Sequence, residues 1–83
     1  MRVIFRKFPE GDVVALLPEC EANPGQVVCY QHVGQHGEAD RNIAQWTLPA
    51  TEAEYASLLR ELHAIGYEDL RVAKRMRFRR ALG

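Results

Sequence analysis

The chain has 83 residues, 47% of them hydrophobic, eleven basic and eleven acidic, for a formal net charge of zero. That length suits one domain, and the hydrophobic share excludes a disordered chain. No apolar run approaches the roughly 18–20 residues of a membrane span, and Val3-Ile4-Phe5 is too short for a secretory leader, so the expected location is the cytoplasm, with no membrane partner.

The elements follow in chain order. RVIFRKF (2–8) is short and rich in β-branched and aromatic residues, which predicts a strand. PEGD (9–12) is a turn, and VVALLP (13–18) a second strand, so the two should form an antiparallel hairpin. ECEANPGQ (19–26) reads as a loop on its Asn23-Pro24-Gly25 signal. VVCYQHV (27–33) is a third strand. Alternation puts Val27, Cys29, Gln31 and Val33 on one face and Val28, Tyr30 and His32 on the other. GQHGEADRN (34–42) reads as a loop, and IAQWTL (43–48) as a fourth short strand.

The helix signal is strongest. Thr51-Glu52-Ala53-Glu54 is a capping box, and Tyr55, Leu58, Leu59, Leu62 and Ile65 form a stripe at three- and four-residue spacing. Gly66 is the expected residue just past its end, and His63 suits the negative end of the dipole. Residues 70–76 read as a last strand. The prediction is an α+β domain over residues 1–76: a mainly antiparallel sheet of four to five strands with one helix on a face, in the order β-β-β-(β)-α-β. Residues 77–83 read as a loose basic end. One helix covers one face of the sheet; an apolar second face would call for a homodimer or other protein partner.

VIFRKF, VVALLPE, YQHVGQHGEAD and EYASLLRELHAIGYEDLRV span most of the chain up to about Val72. Together they resemble a family of small bacterial proteins, many encoded in mobile or phage-like regions. The most specific stretch is YQHVGQHGEAD. The resemblance implies a context and no catalytic mechanism, and the basic tail KRMRFRR is not part of it.

Two regions carry chemistry. The first is HVGQHGEAD (32–40), where His32, Gln35, His36 and Asp40 are candidate ligand-loop residues among two glycines. Its amides and donors suit an anion. A zinc reading would use Cys20, Cys29, His32 and His36, but a strand sends Cys29 and His32 to opposite faces, and the x8 spacing between the cysteines is wide for a structural site. A hydrolytic reading would pair His36 with Asp40 or Glu38, with no nucleophile motif nearby. No metal, cofactor or catalytic residue is therefore expected, and the two cysteines are read as free thiols.

The second region is the charge distribution. Arg2, Arg6 and Lys7 at one end, and Arg71, Lys74, Arg75, Arg77, Arg79 and Arg80 at the other, total +9 without an acid; residues 10–69 total −9. In an extended 71–79, Arg71, Arg75, Arg77 and Arg79 share one side, a candidate nucleic-acid-binding stripe that Arg2 and Arg6 join if the first and last strands lie together. Phe5, Phe8, Tyr30 and Phe78 are candidate stacking surfaces for bases. The functional expectation is a non-catalytic accessory or binding protein that contacts nucleic acid. The alternative is a protein-interaction module or homodimer using a sheet edge or face, and an enzyme or zinc site in 32–40 ranks third.

Overall fold

The computed structural model describes residues 1–21, 26–31 and 35–73. β1 (Arg2–Lys7) and β2 (Val13–Glu21) form the expected antiparallel hairpin, in register from Ile4 opposite Leu16 to Lys7 opposite Val13. Its turn closes through Phe8 N–H to Asp12 O and Gly11 N–H to Phe8 O, each 2.8 Å. Gly11 takes φ +104°, which a side chain would resist.

β3 (Gln26–Gln31) pairs antiparallel with β2, but the register jumps between Leu17 opposite Val28 and Glu21 opposite Val27. Pro18 sits at the jump. It has no N–H to give to a ladder, so an interior strand must break regular pairing there. The break also reaches β1. Continued register would put Arg2 opposite Pro18; the Arg2 amide instead donates to the Glu19 carboxylate at 2.8 Å.

Residues 35–40, expected as loop, form β4 (Gln35–Asp40), which pairs antiparallel with β3 over six residue pairs. The sequence hides this strand because it is an edge. Its backbone bonds come from β3, and of its described side chains only Ala39 is buried. Residues 43–48, expected as strand, begin in a 3-10 helix (Arg41–Gln45) and end in the two-residue β5 (Leu48–Pro49). In a strand Trp46 and Leu48 would share one face, but they are 52% and 62% exposed. Ile43 and Thr47 are the buried residues among the described side chains of that segment.

α1 (Glu52–Ala64) has the predicted capping box, with Thr51 accepting from the Glu54 amide and Glu54 accepting from the Thr51 amide. Leu58 and Leu62 are fully buried. Ile65, expected in the stripe, is the C-cap and is exposed. Gly66 at φ +113° ends the helix as expected. Its amide bonds to His63 O and the Tyr67 amide to Leu62 O, the paired bonds of a Schellman motif. Tyr67 and Leu62 join the same apolar cluster, the hydrophobic contact that accompanies this motif.

β6 (Arg71–Val72) lies parallel to β1, with Arg71 opposite Arg2 and Val72 opposite Val3. Residues 74–83, including the rest of the expected last strand and the whole of 77–83, lie outside the described residues. The sheet order is β4-β3-β2-β1-β5, with β6 also on β1. The fold is therefore α+β with one helix on a face, as expected, but among the described residues it has six strands rather than four to five and one parallel pair.

Alternation divides the core in two. Val3, Phe5, Ala15, Leu17 and Tyr30 meet Leu58 and Leu62 on the helix face. Ile4, Val14, Leu16 and Ala39 meet Ile43 on the other. Ile4, Val14 and Leu16 are thus buried within the single chain, so at these positions the second face offers no open apolar surface for a dimer.

Candidate functional site

The basic edge is built by main-chain bonds. Arg71 N–H donates to Met1 O (2.8 Å) and Ala73 N–H to Val3 O (2.9 Å), while the terminal ammonium donates to Asp69 O (3.0 Å). These bonds hold Met1–Val3 beside Asp69–Ala73. Arg71 is exposed, and the pairing puts it on the same face of the sheet as Arg2. Glu19 lies among these cations. Its carboxyl is held below the usual range, first by the bond from the Arg2 amide and then by the charges of the N-terminus, Arg2 and Arg71, against some desolvation. Arg75, Arg77 and Arg79 lie outside the described residues.

Arg6 does not join this stripe. It is only 9% exposed. Its Nε donates to Thr47 Oγ1 at 3.0 Å, a terminal guanidinium nitrogen donates to Thr47 O, and the Thr47 hydroxyl donates to Ile43 O at 2.8 Å. Burial pushes its pKa down. Arg6 is a structural tie between β1 and the segment ahead of β5. Lys7 is also occupied, with Nζ 2.6 Å from Glu54 Oε2.

The expected stacking residues are largely core. Phe5 is 3% exposed and stacks on Tyr55, with centroids 4.3 Å apart and planes 7° from parallel. Tyr30 is fully buried, with its hydroxyl donating to Glu61. Phe8 packs against the second apolar cluster, and Phe78 lies outside the described residues. A cavity of about 560 Å³ lies beside β1; Phe5, Tyr55, Val72 and Ala73 line it, together with Thr51 and Glu52. The Glu52 carboxylate in its wall is unsuited to phosphate.

Of the 32–40 stretch, the described residues 35–40 are strand rather than loop. His32 lies outside the described residues. Gln35 and Asp40 belong to β4 by their backbone, and their side chains lie outside what is described. His36 is exposed on the helix face of β4, opposite Tyr30. Its ring meets the Tyr30 ring edge-on, with centroids 4.7 Å apart, and its Nε2 is 3.1 Å from the Tyr67 hydroxyl. An open cavity of about 380 Å³ is lined by His36, Ile65, Gly66 and Tyr67. Sequence reasoning missed Tyr67, because the contact joins a sheet edge to the helix C-terminus across 31 residues. The Schellman motif that positions it was legible only as Gly66.

Cys29 packs in the second-face cluster and Cys20 against the helix-face cluster; both are free. Burial, then the Glu38 carboxylate, pushes the Cys29 thiol up, opposed by the Gly37 amide. Cys29 and His36 therefore face opposite ways. Among the described residues no three His, Cys, Asp or Glu side chains gather as metal ligands, and no helix is long and apolar enough to cross a membrane. No protein family matches the chain, and neither a curated protein nor a solved structure does.

Proposed function

We propose that the chain is a non-catalytic binding protein whose basic edge, entered at Arg71, contacts the phosphates of nucleic acid. The observation that carries this reading is the parallel pairing of β6 with β1. It supplies the side-by-side arrangement that a shared cationic stripe requires and sets Arg71 opposite Arg2. From there the sequence continues with Lys74, Arg75, Arg77, Arg79 and Arg80 and no acid. Arginine forks suit phosphate oxygens. Because Phe5 and Tyr30 are core residues, the contact is with backbone charge rather than stacked bases, and little preference for sequence follows. The same proposal takes the chain to be cytoplasmic, where Cys20 and Cys29 stay reduced.

Fluorescence anisotropy with single-stranded and duplex oligonucleotides at about 50 mM salt tests the reading. Both should bind, and replacing Arg71, Arg75, Arg77 and Arg79 by glutamine should abolish binding of both. Binding unaffected by that replacement would overturn the assignment of the site.

A further inference from the structure

β4 lies at the end of the sheet, bonded to β3 on one side and to no further strand among the described residues on the other. A six-residue open edge is a template for another strand. We propose that this edge is the interface of a homodimer, in which two copies of β4 pair antiparallel about a two-fold axis at Gly37.

The choice of a second copy and of this register rests on charge. Residues directly opposite in an antiparallel pair share a face, so the axis of such a dimer falls on a residue, not between two. Alternation puts His36 and Glu38 on the helix face, with Gly37 and Ala39 on the other. An axis at Glu38 sets two glutamates opposite each other. An axis at Ala39 leaves His36 and Glu38 out of register with each other. Like charges directly opposite are destabilising. An axis at Gly37 sets His36 opposite Glu38 twice, and His36, Gly37 and Glu38 are all exposed. Gly37 adds no side chain at the axis, and its backbone is ordinary extended strand. A β-carbon there would lie 3.6 Å from Cys29 Sγ, an ordinary contact, so the position accepts substitution.

Light scattering of the full chain over roughly 10 μM to 1 mM, the range of weak association, should show a concentration-dependent dimer. Glu38→Lys, an exposed change, should raise the dimer dissociation constant roughly tenfold by replacing both favourable pairs. In a Cys20→Ala, Cys29→Ala background, Gly37→Cys should cross-link on mild oxidation, whereas Glu38→Cys should not. A monomer throughout the concentration range overturns the proposal. So does a dimer that is indifferent to Glu38→Lys or that cross-links through Glu38→Cys instead. If Gly37→Cys fails to fold, the Glu38→Lys result decides.

Discussion

Arg6→Met separates structural arginine from functional arginine. The substitution keeps an unbranched stem against β1 and removes the guanidinium. Two donations to Thr47 are lost, one to the hydroxyl and one to the carbonyl. Bonds from a charged donor contribute about 1.5–3 kcal/mol each, and Thr47, itself buried, is left with acceptors to satisfy. Removing the cost of desolvating the guanidinium offsets much of that loss, since buried charges are often replaced by apolar groups without penalty. The balance is a destabilisation of about 2 kcal/mol, because Met offers Thr47 no donor. For a domain of this size that lowers Tm by roughly 8–16 °C. Circular dichroism at the helix band, during urea and thermal unfolding, reads the change. Oligonucleotide affinity at a temperature where both proteins are folded should stay as in the parent. An Arg6→Met variant as stable as the parent would refute the structural role. Unchanged stability with lost oligonucleotide binding would return Arg6 to the cationic stripe.

Leu62→Ala should cost about 2–5 kcal/mol, since the Leu62 side chain is fully buried in the cluster that Tyr67 packs against, and chemical denaturation should show a lower midpoint with an unchanged slope. The acid limb of stability carries a signature of Glu54. Its pKa falls from 4.5 to about 2, chiefly through the bond from Lys7 and then the Thr51 amide. A carboxyl depressed on folding contributes stability that is complete above its unfolded pKa and is lost as pH falls through its folded one. Lys7→Met should therefore flatten the stability profile between pH 4.5 and about 2, the window set by Glu54, measured by urea unfolding at each pH. A profile with the parent's slope in that window would show that Lys7 is not the cause.

How much of this fold was legible depended on where each element finds its bonds. α1 carries its own signals: Thr51 and Glu54 cap each other within three residues, and Leu58 and Leu62 recur on one face. β1 and β2 are interior strands whose burial writes itself as apolar runs. β4 carries no such record, because as an edge it needs only the β3 backbone, and HGEAD looks like a turn. Trp46 and Leu48 mimic strand alternation while both stay exposed, and the short 3-10 helix is set by Ile43 reaching the second face. The site followed the same rule. That the chain ends carry like charge was plain, but Arg2 and Arg6 are indistinguishable in sequence. Only the position of Thr47, 41 residues away, makes one a tie and leaves the other beside Arg71. His36 was visible as a candidate, whereas Tyr67 required the helix to be folded back onto the sheet.

The salt dependence of oligonucleotide binding tests the central claim most directly. For duplex DNA each phosphate neutralised adds about −0.9 to the slope of log K against log salt, and for single strands about −0.7. With four arginines engaged, the duplex slope should be about −3.6, and replacing Arg75 and Arg77 should bring it to about −1.8. A slope left unchanged by that replacement, or no binding at about 50 mM salt, would contradict the account.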